Sequence, residues 1–118
     1  MMQQNKQVAI ITGATKGIGR ATVVEFLKNN INCVLVSRKI DLKFNNYLKS
    51  KFNKNDYIFV QADISKIGSI KKIIDATNKN FGKIDILFNN AAYSDFNNFF
   101  RNDLKMYEKI FNTNVRGL

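Results

Sequence analysis

The chain has 118 residues, of which 45% are hydrophobic, and 19 Lys and Arg against 9 Asp and Glu give it a formal net charge of +10. This length suits one small domain, and the hydrophobic content is that of a globular rather than a disordered protein. No apolar block approaches the ~20 residues of a membrane span, and the opening residues, MMQQNKQ, lack the apolar core of a signal peptide. The basic residues are dispersed, which argues against a nucleic-acid partner. We therefore expect a cytoplasmic protein with no membrane or nucleic-acid partner.

Four apolar blocks, VAII, CVLV, YIFV and IDILF, predict four β-strands. In chain order the predicted strands cover residues 7–11, 32–36, 57–61 and 84–88. The single cysteine, Cys33, lies in the second block and is interpreted as a packed strand residue.

Between these blocks apolar residues recur at helical spacing. The predicted helices cover residues 18–29, 41–52, about 65–80 and a last segment that begins at Asn102 or Asp103. Ser65 or Ser69 is the candidate cap of the third helix, and Gly82 is its stop signal. Continuous apolar strands that alternate with helices indicate a parallel sheet covered on both faces. Right-handed crossovers make this a doubly wound α/β fold.

The segment TGATKGIG, residues 12–19, joins the first strand to the first helix. Its glycines, Gly13, Gly17 and Gly19, permit a tight turn and the close approach of a phosphate. The helix that follows offers free N–H groups and the positive end of its dipole to an anion. A P-loop motif is absent. Glycine spacing alone also fits an ordinary turn, but its position in a βαβ unit favours a dinucleotide site.

The end of the second strand favours NADP(H) over NAD(H) as the cofactor. In dinucleotide folds a carboxylate about 20 residues further on binds the ribose hydroxyls of NAD, and here Ser37 and Arg38 take that place. A carboxylate would repel a 2′-phosphate, whereas Ser37 and Arg38 can bind one, and Lys16 adds a second cation. The alternative is that Arg38 is an ordinary solvated arginine.

Four segments together resemble the short-chain dehydrogenase/reductase family: TGxxxGIG at 12–19, ADIS at 62–65, DILFNNAA at 85–92 and FNTNVRGL at 111–118. The resemblance covers essentially the whole chain. It implies the N-terminal part (residues 1–118) of a single NAD(P)-binding Rossmann domain with strand order 3-2-1-4. It also implies hydride transfer between nicotinamide and a small-molecule carbonyl or secondary alcohol, and a homo-oligomeric full-length form. The competing interpretation is a non-catalytic nucleotide-binding or partner-binding module.

By position, the resemblance implies a cofactor site and one catalytic residue. Asp63, with the backbone of Ile64, would hold the adenine ring, or Asp63 would simply cap the next helix. Asn90 would border the cofactor ribose and steady the sheet, or would only satisfy backbone groups. Asn114 matches the asparagine of the family's catalytic tetrad. The implied cofactor-binding residues are Gly13, Ala14, Thr15, Lys16, Gly17, Ile18, Gly19, Ser37, Arg38, Asp63, Ile64, Asn90 and Ala91. No metal site is expected.

The sequence departs from the family's pattern in two places. Ala92 stands where the family usually has glycine, which is a mild change. The family's catalytic serine, tyrosine and lysine lie beyond the asparagine helix, and this sequence ends four residues after Asn114. We therefore expect a fragment, truncated within the helix carrying Asn114 and inactive alone, with its fourth strand left as an apolar edge. Tyr47 and Lys51 match Tyr-x-x-x-Lys, but their position between the second and third strands indicates a turn of amphipathic helix.

Overall fold

The computed structural model describes residues 6–90 of the chain. Its strands are β1 (Val8–Thr12), β2 (Asn32–Ser37), β3 (Tyr57–Gln61) and β4 (Ile86–Phe88). Its helices are α1 (Gly17–Lys28), α2 (Leu42–Lys51) and α3 (Ile67–Asn80), with a short 3-10 helix at Lys54–Asp56. The predicted last helix, with its candidate caps Asn102 and Asp103, lies outside the described residues, as do Ala91, Ala92 and Asn114.

The four strands form one parallel sheet in the order β3-β2-β1-β4. Ile10 of β1 pairs with Val34 of β2 on one side and with Leu87 of β4 on the other. All five residues of β1 are buried, as expected for a central strand covered on both faces. The predicted doubly wound α/β class and the strand order 3-2-1-4 are confirmed.

Successive strand residues point to opposite faces of the sheet and divide the core in two. On one face, Ile11 and Leu35 pack with residues of α1 and α2, among them Val23 and Phe44. On the other face, Ile10, Val34 and Val60 pack with Ile73 of α3. Cys33 is fully buried in the first cluster, as expected. Each fully buried aliphatic or aromatic side chain contributes roughly 1.5–3 kcal/mol, so these clusters hold the strand ends in fixed positions.

The N-termini of α2 and α3 differ in whether a side chain caps them. Asp41 caps α2, since its Oδ1 accepts a hydrogen bond from the Phe44 N–H at 3.0 Å. The prediction that Ser65 or Ser69 caps α3 is wrong, because Lys66 occupies the N-cap position and makes no side-chain cap bond. The Ser65 hydroxyl donates to the carboxylate of Asp63.

Gly82 ends α3 in the way that the sequence indicates. Its φ is 75°, in the left-handed region that glycine adopts without a Cβ penalty. Its N–H donates to the carbonyl oxygens of Thr77 and Asn78 at 3.2 and 3.0 Å. These bonds satisfy carbonyls that the end of the helix leaves without partners.

Strand β4 is shorter than predicted and lies at one end of the order of strands in the described part of the chain. Asp85, just before it, is fixed by two bonds to Val8: its N–H donates to the Val8 carbonyl and its Oδ2 accepts from the Val8 N–H, both at 2.8 Å. Leu87 keeps 54% of its surface exposed. Among residues 6–90, β4 thus pairs with β1 and exposes an apolar side chain.

Candidate dinucleotide-binding site

A cleft of about 330 Å³ opens where the carboxyl ends of the parallel strands meet. It is bordered by the residues that follow β1, β2, β3 and β4. In open α/β sheets this edge, at the point where the strand order reverses, is where ligands bind. The residues that line the cleft are Gly13, Thr15, Lys16, Val36, Ser37, Arg38, Lys39, Ala62, Asp63, Ile64 and Asn90.

The structure thus places eight of the predicted cofactor-binding residues on the cleft wall: Gly13, Thr15, Lys16, Ser37, Arg38, Asp63, Ile64 and Asn90. Four others do not line it: Ala14, Gly17, Ile18 and Gly19. Ala14 is fully buried, and its N–H donates to the Val36 carbonyl at 3.2 Å. Ile18 is 69% exposed at the start of α1.

The turn between β1 and α1 depends on two glycine conformations. Gly13 and Gly17 have φ values of 64° and 53°, which L side chains adopt only with strain. Lys16 occupies the N-cap position of α1 and makes no side-chain cap bond. The first N–H groups of a helix have no partner within the helix, and here no capping side chain competes with a ligand for them. The turn can therefore present N–H donors and the positive end of a helix dipole to an anion.

Gly19 has a packing role beneath this turn. A Cβ placed on Gly19 would collide with the carbonyl oxygen of Gly13 and lie 2.6 Å from Nδ2 of Asn90. The absence of a side chain therefore lets the first turn of α1 lie directly against the glycine turn.

Asn90 joins the end of β4 to the same turn. Its Nδ2 donates to the Gly13 carbonyl at 3.1 Å, and its N–H donates to Oγ1 of Thr12 at 3.0 Å. The Thr12 hydroxyl in turn donates to the Phe88 carbonyl at 3.4 Å. Asn90 thus satisfies backbone groups, as one of its two interpretations proposed, and it also borders the cleft.

The segment after β2 brings two basic side chains to the cleft wall. Arg38 and Lys39 are both exposed and both line the cleft. Ser37 points its hydroxyl elsewhere: Oγ donates to the Lys39 carbonyl at 2.7 Å. Gln61, at the end of β3, donates from Nε2 to the Arg38 carbonyl at 3.1 Å. Sequence analysis did not single out Lys39; its one signal is its position directly after Arg38 in SRK.

Asp63 supplies a carboxylate to the same cleft. Its Oδ1 accepts from the Ser65 hydroxyl at 2.6 Å and from the Ser65 N–H at 3.0 Å. The hydroxyl bond above all, and then the backbone bond and the nearby charge of Arg38, hold the pKa of Asp63 below its ordinary value. Asp63 is not the N-cap of α3, which is Lys66. It is an ionised acceptor fixed at the rim of the cleft.

The Tyr-x-x-x-Lys match lies away from the cleft wall. Tyr47 and Lys51 belong to α2, and neither lines the cleft. The Tyr47 ring stacks on Phe44 with centroids 6.5 Å apart, and Phe44 is buried against the sheet. This agrees with the interpretation of the pair as part of an amphipathic helix.

None of the three helices within 6–90 is long and apolar enough to cross a bilayer. In the same part of the chain, no group of three or more His, Cys, Asp or Glu side chains is placed to hold a metal ion.

The parallel sheet, the glycine turn and the cleft at the reversal of strand order define a Rossmann-type nucleotide-binding domain. A sequence profile described as short chain dehydrogenase matches residues 7–118. The chain therefore belongs to the short-chain dehydrogenase family.

The relatives that this chain matches are longer proteins. It is 36% identical over 91 residues to a 3-oxoacyl-(acyl-carrier-protein) reductase, FabG, of Buchnera aphidicola, a match that covers 77% of this chain and 36% of the reductase. A solved structure of ElxO with NADP bound is 32% identical, with a TM-score of 0.83 over 95% of this chain and 46% of that one. A NADH-dependent reductase solved with NAD is 27% identical, with a TM-score of 0.80 over 99% of this chain and 50% of that one. The chain thus spans half or less of these relatives. Of the two solved structures, one holds NADP and the other NAD.

Proposed function

We propose that this chain is the N-terminal part of an NADP(H)-dependent oxidoreductase that acts on a carbonyl or secondary alcohol of a small molecule. The proposed preference for NADP(H) rests on the segment after β2, which brings a cation and no carboxylate to the cleft wall. Arg38 lies on the cleft wall there, and Lys16 lies on the same wall across the glycine turn. No carboxylate takes the place at which NAD-binding folds hold the ribose hydroxyls. A 2′-phosphate would meet cations in this position.

The residues of the cleft fit the adenosine half of such a cofactor. The glycine turn and the start of α1 suit the pyrophosphate, because a backbone without Cβ atoms can approach it closely. Asp63 and the Ile64 backbone border the space proposed for adenine. When bound, the nicotinamide would supply or accept the hydride. The residues of this chain would bind and orient its adenosine end.

The catalytic part of the proposal depends on residues outside 6–90. Asn114 is proposed as a catalytic residue by its place in FNTNVRGL, and Ala91 as a neighbour of the cofactor ribose. We propose that residues 1–118 alone do not reduce carbonyls, since a proton donor poised near neutral pH is needed. We also propose that the full-length protein is cytoplasmic and forms a homo-oligomer.

Binding of NADPH and NADH to the purified chain tests the cofactor preference. Isothermal titration calorimetry should give a dissociation constant at least about tenfold lower for NADPH, the effect of one charge-assisted contact to the 2′-phosphate. Equal affinity, or tighter binding of NADH, would contradict the preference. A carbonyl-reduction assay with the same chain should show no turnover, and measurable turnover would contradict the proposed inactivity.

One observation favours the second candidate, a non-catalytic nucleotide-binding module. In the described part of the chain, the one Tyr-x-x-x-Lys pair lies off the cleft wall. The DNA downstream of the codon for Leu118 separates the two candidates. A Tyr-x-x-x-Lys motif within a few tens of codons supports the oxidoreductase, and its absence in all frames supports the module.

A further inference from the structure

We propose that Lys39 is a specificity-determining residue that binds the cofactor's 2′-phosphate, and that Ser37 acts through it as a positioning residue. This inference rests on the proposed preference for NADP(H) and deepens it. It also reassigns Ser37, which the sequence suggested as a direct phosphate ligand.

The hydroxyl of Ser37 is already engaged as a donor. Phosphate oxygens are hydrogen-bond acceptors, and a serine hydroxyl has one hydrogen to donate. That hydrogen points to the Lys39 carbonyl oxygen, with the two oxygens 2.7 Å apart, which is the usual length of a good O–H···O bond. The Ser37 side chain therefore has no donor left for a phosphate unless this turn opens. Its contact fixes the backbone from which the Lys39 side chain extends.

Two further hydrogen bonds hold the same turn, at the carbonyl oxygens of Arg38 and Ser37. Gln61 donates from Nε2 to the Arg38 carbonyl at 3.1 Å, and the Ala62 N–H donates to the Ser37 carbonyl at 2.9 Å. All three carbonyl oxygens of residues 37–39 thus accept hydrogen bonds from the protein. Because these carbonyl oxygens face protein donors, they do not repel an anion in the cleft. The charge that the anion meets there comes from the side chains.

Lys39 supplies a positive charge that a 2′-phosphate needs in addition to that of Arg38. A phosphate monoester carries about −1.5 to −2 charges near pH 7. Arg38 already interacts favourably with the Asp63 carboxylate, which is one cause of the lowered pKa of Asp63. Lys39 lines the cleft beside Arg38, and within residues 6–90 its ammonium forms no ion pair. An anion bound there gains the full charge of Lys39 without breaking an existing ion pair.

The adenosine half of the site can be tested with ligands that lack nicotinamide. Adenosine 2′,5′-bisphosphate and 5′-AMP differ only in the 2′-phosphate. The dissociation constant of 5′-AMP divided by that of the 2′,5′-bisphosphate is therefore a ratio that measures recognition of this group. Calorimetry on the 118-residue chain should show that Lys39→Met lowers this ratio about tenfold and leaves 5′-AMP binding unchanged. Lys39→Arg should keep the ratio. Lys43→Met is the matched control, because Lys43 is exposed on α2, carries the same charge and does not line the cleft.

A double-mutant cycle tests the positioning role of Ser37. Ser37→Ala should lower the ratio in the wild-type background and have no further effect in the Lys39→Met background. An equal loss in both backgrounds would show that Ser37 binds the phosphate directly and would overturn this part of the inference. If Lys39→Met behaves like Lys43→Met, the role of Lys39 is overturned. If the wild-type chain does not prefer the 2′,5′-bisphosphate at all, the proposed NADP(H) preference fails, and the inference fails with it.

Discussion

Nδ2 of Asn90 donates a hydrogen bond to the carbonyl oxygen of Gly13 over 3.1 Å, which joins the end of β4 to the turn that follows β1. These residues are 77 positions apart in the chain. Beneath them lies Gly19, at which a Cβ would meet both the Gly13 carbonyl and the Asn90 amide. The shape of the glycine turn therefore depends on β4 and on the start of α1 together.

Replacement of Asn90 should show that its amide is needed as a donor. Asn90→Ala should lower the free energy of unfolding by about 1 kcal/mol, the usual net value of such a hydrogen bond. Asn90→Asp should cost more, because a carboxylate would face the Gly13 carbonyl oxygen and repel it. Urea unfolding followed by circular dichroism measures both. A more stable Asp variant than Ala variant would show that the bond to Gly13 has no such role.

A methyl group at position 19 should be poorly tolerated. Gly19→Ala puts a Cβ against the Gly13 backbone, which cannot rotate away as a flexible side chain could. We expect a loss of about 1–3 kcal/mol in the free energy of unfolding, the usual cost of overpacking, and weaker binding of NADPH because the turn must move.

Gly68→Ala is the matched control for this change. Gly68 also lies in the first turn of a helix, α3, and a Cβ there meets nothing within 4 Å. The control should be neutral or gain up to about 1 kcal/mol from helix propensity. Equal unfolding free energies for the two variants would contradict the packing role of Gly19.

Arg38→Asp should reverse the cofactor preference. The substitution removes a cation from the cleft wall and supplies a carboxylate that repels a 2′-phosphate and can accept bonds from ribose hydroxyls. We expect NADPH affinity to fall by at least about tenfold and NADH affinity to hold or rise. Lys43→Asp makes the same change of charge away from the cleft and should leave the ratio of affinities nearly unchanged. An unaltered preference in Arg38→Asp would mean that Arg38 is only a solvated arginine.

The sequence predicts the sheet and most of the cleft wall for the same physical reason. Parallel strands place all their carboxyl ends at one edge, so residues that follow the predicted strands must meet there. What the sequence could not predict are contacts that depend on hydrogen-bond geometry. One example is Ser65, which was predicted as a cap of α3 but donates its hydroxyl hydrogen to Asp63. The place of Lys39 is another, because it depends on a turn held by Gln61, which lies on a different strand.

Ser65→Ala should raise the pKa of Asp63 toward its ordinary value of 3.8, because it removes the hydrogen bond that lowers this pKa most. A carboxyl group with a lowered pKa in the folded state stabilises that state above its unfolded pKa, and the contribution is lost as the pH falls through the folded pKa. In wild type, the contribution of Asp63 should therefore persist near pH 4 and disappear only below it. In Ser65→Ala, this contribution should be smaller wherever wild type still has it. Carboxyl NMR titration of both proteins measures the shift.

Ser50→Ala is the control for this change, because it removes a hydroxyl that donates to the Tyr47 carbonyl on α2. It should leave the Asp63 titration unchanged. An equal effect of both substitutions would contradict the role of Ser65.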